Sequence, residues 1–363
     1  MMAFAAIVPD RQRAVPAHDE VAIFISACVG YVPRLRVKRG EYLGSLGSFA
    51  APGIGEKAVG EFDEDAVTMA VEAGRALLAL AFSPDNTCPL RGLHLASTSL
   101  PYAEKVQAAT VVEALGLPPG LFCSEHTTSS RAGTEALLTA AHHIATAHAD
   151  ETVMVVAAEA PRLSPLEPAE HPLGAGAVAL LLGRAGWARL TGYHSVAGEA
   201  LGIGFRPAGS SGPRDLGLTA YAQCLLEARV REAVAGLAAP ATPAEYLAGC
   251  RLVILPQPDA RLPAQLARTL GLKPEQTAPG LVAARWGDSR SALPFLSLAA
   301  ACSQGDGLQP GDRVLVISQG WGMAVDALAL EITARPVVDL QLPPAAFLDF
   351  GSYLRLRRNG SAQ

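Results

Sequence analysis

With 363 residues, the chain is too long for one small core and fits two domains or one large duplicated one. Half of it is hydrophobic, 17% is charged and 6% is aromatic, with a mean hydropathy of +0.25. That profile implies broad buried surfaces lined by Ala, Leu, Val and Gly, including an oligomer interface. The net charge of −5 and the absence of an extended basic block argue against nucleic acid as a partner.

In chain order, "MMAFAAIVPDRQR" has an apolar start without a basic segment before it, so no signal peptide is expected. No stretch reaches the roughly 18 uncharged apolar residues that span a bilayer. No membrane association and a cytoplasmic location are therefore expected. Residues 1–18 read as a loosely attached tail. "RLRVKR" at Arg34 reads as a short alternating basic strand, as does "YLRLRR" at Tyr353. Either is a solvated strand face, a phosphate site or a partner-docking edge. Leu93–Leu117 and Leu252–Leu272 each read as an apolar strand, a proline-marked turn and an amphipathic helix ending in Leu-Gly-Leu. "TTSSRAGTEALLTAAHHI", from Thr127, turns from a hydroxyl-rich loop into a helix. "GIGFRPAGSSG" at Gly202 holds a GxG without a preceding strand or GxGxxG spacing, so no dinucleotide site is expected. The glycines of "SQGWGMAVDA", Gly320 and Gly322, suit a close backbone approach, with the bulky Trp321 between them. Six scattered cysteines without CxxC pairs read as buried, reduced thiols, with no disulfide framework and no metal site.

These segments repeat. "SRAGTEALLTAAHHI" at Ser130 is echoed by "SRSALPFLSLAAACS" at Ser289, and "ETVMVVAAEA" at Glu151 by "DRVLVISQGW" at Asp312. With the strand–turn–helix pair, all keep an offset of roughly 160 residues. Two α/β halves are expected, at 19–187 and 188–363, packed so that Ser130 and Ser289 meet near one crevice.

The ordered segments "CVGYVPRLRVKRGEYL", "FDEDAVTMAVEAGRALL", "SLPYAEKVQAATVVEALGL", "SRAGTEAL", "GLVAARWGDSRSA", "PGDRVLVISQGWGMAVDALAL" and "FLDFGSYLRLR" cover nearly the whole chain. In them the chain resembles the thiolase superfamily, most closely archaeal and bacterial HMG-CoA synthases, and next ketoacyl synthase III. The resemblance implies a thiolase-like α/β fold: two duplicated halves in a layered α-β-α-β-α sandwich. It also implies acyl transfer to a cysteine at a helix N-terminus, followed by Claisen-type condensation, with no resident cofactor but a coenzyme A thioester as ligand.

The resemblance places degenerate residues at the catalytic positions. Ser130 stands at the nucleophilic cysteine, Thr98 at the glutamate, Pro256 at the histidine and Asp259 at the asparagine of His-Gln-Pro-Asn. Asp288 stands at a further asparagine. A serine needs a base, and no histidine follows His194. Among first-half histidines, His94 reads as an interior strand residue and His126 as lying in a solvated loop, while His142 and His143 read as packing residues of the helix. Cys123, read at the end of strand "GLFCSE", is the alternative nucleophile. Relatives of this type assemble with a thiolase and an OB-fold/zinc-ribbon scaffold protein. The chain is accordingly expected to be a non-catalytic or weakly catalytic subunit of such an acyltransferase, pairing as a homodimer or pseudo-symmetric heterodimer. The competing expectations are a stand-alone acyltransferase or condensing enzyme using Ser130, and an acyl-CoA-binding regulator.

Overall fold

The computed structural model describes residues 21–82, 89–210, 212–304 and 307–360. The expected tail with His18, and Cys88, lie outside them. The first half runs β1 (Phe24–Tyr31), β2 (Leu35–Lys38), α1 (Arg39–Leu46), β3 (Glu56–Val59), α2 (Ala66–Ala81), β4 (Leu90–Ala96) and α3 (Gln107–Ala114). It continues through β5 (Phe122–His126), α4 (Ala132–Thr146), β6 (Thr152–Glu159) and β7 (Gly176–Gly183). The second half runs β8 (Ala188–Val196), α5 (Thr219–Ala238), α6 (Pro243–Ala248), β9 (Leu252–Ile254), α7 (Leu262–Leu270) and α8 (Pro274–Thr277). Then come α9 (Ala283–Trp286), α10 (Leu293–Cys302), β10 (Arg313–Gly320), β11 (Ala324–Ile332), β12 (Val338–Gln341), β13 (Ala346–Leu348) and α11 (Phe350–Gly360).

The main sheet has the order β5-β4-β6-β7-β1-β8-β11-β10-β9, with β12 also paired to β1. About the β1/β8 junction, β4-β6-β7-β1 mirrors β9-β10-β11-β8, strand for strand. The pairings mirror as well: β4–β6 and β9–β10 are parallel, β6–β7 and β10–β11 antiparallel. Among the described strands of this sheet, β5 and β12 lack a counterpart. Strands β6 and β7 are almost continuous Val, Ala and Leu, as strands covered on both faces must be.

Three buried clusters define the layers. One joins α4 and α10 to alternate residues of both halves of the sheet, including Val155, Leu180, Val316 and Leu328. The opposite face of the first half packs on α2 and α3, and that of the second half on α5 and α7. The result is the expected α-β-α-β-α sandwich. Sequence chemistry marks the outer helices. Asp65 caps α2 in a reciprocal capping box with Thr68, and Gly116 and Gly271 take positive φ just past α3 and α7.

In the central layer the starts of α4 and α10 touch. A Cβ on Gly133 would overlap the carbonyl oxygen of Ser291, so only glycine permits the approach.

A smaller sheet, β13-β2-β3, is closed by α1 and α11. Its buried hub is an ion pair between Lys57 and Glu170. Glu170 also accepts hydrogen bonds from Tyr42 (2.8 Å) and from Tyr353 of α11. "YLRLRR" is therefore helical, not a strand. Phe350, Tyr353 and Leu356, three residues apart, face the cluster around Tyr42, and Arg355 and Arg358 face solvent. "RLRVKR" does contain a strand, but its alternation does not give a solvated basic face. Arg36 is buried, with Nη1 donating to the Pro33 and Leu35 carbonyls. Among the described residues, no helix is long and apolar enough to cross a membrane.

The contact of the two central helices sets a clear expectation for Gly133→Ala. It should lower stability by at least about 2 kcal/mol, because the added methyl meets backbone rather than a side chain that can turn away. A shift of the denaturant midpoint to lower concentration checks this.

Candidate active site

Ser130 sits in the turn before α4, at the corner where a loop meets the central helix. Its neighbour Ser129 is held against Gly320, whose missing Cβ leaves room for the Ser129 hydroxyl. The Ser130 hydroxyl donates to the Gln319 carbonyl at 3.0 Å, so its proton is bonded to a backbone acceptor rather than a base. It faces a cavity of about 250 Å³ that Pro256, Asp288, Arg290 and Trp321 also line. Ser289, its partner in the repeat, is buried beside Asp288.

Three of the five expected positions, Ser130, Pro256 and Asp288, are thus brought together, and two are not. Asp259 caps the start of α7, its Oδ1 accepting from the backbone N–H groups of Arg261 and Leu262 at 2.8 Å each. Thr98 lines a second cavity, of about 800 Å³, whose wall also holds Lys105, Arg162 and Arg206. Arg290 borders both cavities.

Thr98 leads to a residue that sequence reasoning passed over. Glu159, fully buried at the end of β6, accepts from the Thr98 N–H (2.8 Å) and Oγ1 (3.0 Å), Ser99 Oγ (2.7 Å) and Ser291 Oγ (2.6 Å). Those four donors fill its acceptor capacity. In the other half, Asp326 on β11 does the same work. It accepts from Arg131 (2.6 Å), Thr134 Oγ1 (2.6 Å) and Ser195 Oγ (2.7 Å).

Arg290 has φ of 44°, rare for a residue with a side chain. Its N–H donates to Asp288 Oδ1 at 2.8 Å, and its guanidinium lies 4.1 Å from the centre of the Trp321 ring. Burial pushes the Asp288 carboxyl up to about 6, despite the nearby Arg290 charge and N–H, which act the other way. The negative charges of Glu159 and Asp259 add to the rise.

No histidine lines the Ser130 cavity among the described residues. His94 is interior, as expected, with Nδ1 2.6 Å from Ser124 Oγ and its ring packed near His143; burial holds it down to about 4. His126 is not in a solvated loop: it is the half-buried last residue of β5. His143 packs as expected, against Phe122, whereas His142 is exposed beside Tyr193. Cys123 is the second residue of β5 rather than its end. Burial raises its thiol, the opposite of what a nucleophile needs. Among the described residues, no group of three or more His, Cys, Asp or Glu side chains is placed to hold a metal ion.

No family model matches the chain. It is 29% identical over 346 residues to the hydroxymethylglutaryl-CoA synthase of Methanopyrus kandleri, covering 90% of this chain and 95% of that one. It is also 29% identical over 344 residues to that of Pyrococcus horikoshii, with 90% and 94% covered. Among solved structures, it superposes on the HMG synthase of the curacin biosynthetic pathway in complex with holo donor-ACP. There the TM-score is 0.81 at 18% identity, covering 94% of this chain and 89% of the other. It superposes on MvaS in complex with 3-hydroxy-3-methylglutaryl coenzyme A with a TM-score of 0.77 at 19% identity, covering 92% and 91%. At that identity the superpositions carry the fold alone.

The Asp288 carboxyl gives a pH-dependent expectation. A carboxyl raised on folding makes the native state bind the extra proton, so stability falls as pH rises from about 4 through about 6. Asp288→Asn removes that loss. The variant should be more stable than the parent at pH 7–8, by up to about 3 kcal/mol, and the two should converge at low pH. Thermal melts across that range would show it, and parallel curves would contradict it.

Proposed function

Because the chain is similar to hydroxymethylglutaryl-CoA synthases over nine-tenths of its length, we propose that it is a thiolase-superfamily protein that works inside a C–C bond-forming acyltransferase as a non-catalytic or weakly catalytic subunit. Its partners in this reading are a thiolase, which carries the chemistry, and an OB-fold/zinc-ribbon scaffold protein. It joins them as a homodimer or as one side of a pseudo-symmetric heterodimer. The observation behind the reading is the cavity around Ser130. The hydroxyl is bonded to a carbonyl, proline stands where a base would be needed, and among the described residues no imidazole lines the space.

A coenzyme A thioester is the proposed ligand. The larger cavity suits it, since Lys105, Arg162, Arg206 and Arg290 line it against the single carboxylate of Glu125. Glu125 is itself engaged at the start of α3, accepting from the Ala108 N–H at 2.8 Å.

One observation favours a stand-alone enzyme using Ser130. Asp288 lines the same cavity, and its raised carboxyl is suited to exchange a proton near pH 6. Purification from the native host separates the two readings. A thiolase and an OB-fold protein should co-purify, and Ser130→Ala should leave acyl transfer by the assembled complex unchanged. A lone homodimer that transfers acyl groups and loses that activity with Ser130→Ala would overturn the subunit reading.

A further inference from the structure

We infer that Arg290 reads a small carboxylate at the wall between the two cavities, supplied either as a free acid or as the carboxyl terminus of a short acyl thioester. The inference deepens the ligand reading above and rests on it for the thioester source only.

Arg290 is held more firmly than its own bonding requires. Its backbone sits at φ 44° with its N–H bonded to Asp288, and its guanidinium is stacked on Trp321. Strain of this kind persists where surrounding structure over-determines it, and it gathers at functional positions. Trp321 is fixed in turn between Gly320 and Gly322 and lies against Gly204 of the loop before α5.

The group so held is underused. Within the described residues the guanidinium makes one hydrogen bond, from Nη1 to Thr98 Oγ1 at 3.3 Å. The buried carboxylate beside it does not take up the rest, because Glu159 already accepts four shorter hydrogen bonds from Thr98, Ser99 and Ser291. Asp288 meets the Arg290 backbone, and Asp215, on the far wall, accepts from the N–H groups of Gly204 and Gly217. Arg206, whose Nη2 donates to the Thr98 carbonyl at 2.9 Å, adds a second positive charge on the larger-cavity side. A planar donor fork held in place, with unspent N–H groups and a cation beside it, matches a carboxylate's two oxygens. The smaller cavity, about 250 Å³ and walled by Leu173, Leu255, Leu293 and Ile317, sets the size of what reaches it: a chain of a few carbons.

The test is binding to the full-length protein, read by calorimetry and thermal shift. The probes are glutarate, dimethyl glutarate, glutaryl-CoA and butyryl-CoA. Glutarate should stabilise the protein and its dimethyl ester should not, or glutaryl-CoA should bind more tightly than butyryl-CoA. The first result assigns the free acid, and the second the acyl terminus. Arg290→Gln should weaken the preferred carboxylate by about tenfold or more, and Arg290→Lys, which keeps the charge without the fork, by an intermediate factor. If Arg290→Gln does not fold, the comparison of acid with ester on the parent still decides. The inference is overturned if glutarate does not bind in preference to its ester and glutaryl-CoA binds no better than butyryl-CoA, or if folded Arg290→Gln keeps full affinity. Glutarate binding with no CoA thioester binding would sink the thioester reading and leave this one standing. Equal binding of the two thioesters without glutarate binding would do the reverse.

Discussion

The two central helices meet backbone to backbone, where Gly133 at the start of α4 lies against the Ser291 carbonyl before α10. Everything near the crevice is set by that spacing. With the two starts in contact, each half can reach a carboxylate of the other. Ser291 reaches Glu159 on β6, and Arg131 and Thr134 reach Asp326 on β11. Both carboxylates are fully buried and amply bonded, the condition under which such groups hold a structure rather than weaken it. The result is a reciprocal clasp, with the second half presenting a hydroxyl to Glu159 and the first half a hydroxyl and a guanidinium to Asp326.

The clasp also explains why the crevice keeps its shape while its reactive groups differ. Ser130 stays at the helix corner because α4 is anchored by Asp326, whatever the serine itself does. Pro256 and Leu255 continue β9 into the cavity wall, and Asp259 turns away to cap α7. A site can therefore hold its architecture with a hydroxyl bonded to a carbonyl at its centre, because none of the supporting bonds passes through Ser130.

The repeat was legible because apolar strands and helix-ending glycines recur in register, and those are local signals. Pairs such as Leu93–Leu117 and Leu252–Leu272 carry their periodicity and their breakers together. "YLRLRR" misled because alternating Leu and Arg over six residues satisfies period two. The spacing of Phe350, Tyr353 and Leu356, which decides for a helix, needs the residues before it. The crevice was only half legible. Ser130, Pro256 and Asp288, the positions the resemblance singles out, line one cavity, but Arg290 matters through a ring 31 positions away and a backbone angle that no propensity announces. Glu159 was hidden differently: it ends an apolar strand, where a lone acid looks like the surface.

The hub at Glu170 has a consequence for how the chain is built. Its acid is paired with Lys57 and Tyr42, which precede it, but one of its hydrogen bonds comes from Tyr353, 183 residues later. Strand β13 and helix α11, which complete the small sheet and cover this pair, both come late in the chain, so the cluster is finished only after the second half has been made. The first half cannot reach its final stability by itself, and a nascent chain must hold an unfinished cluster in reserve while the second half is made.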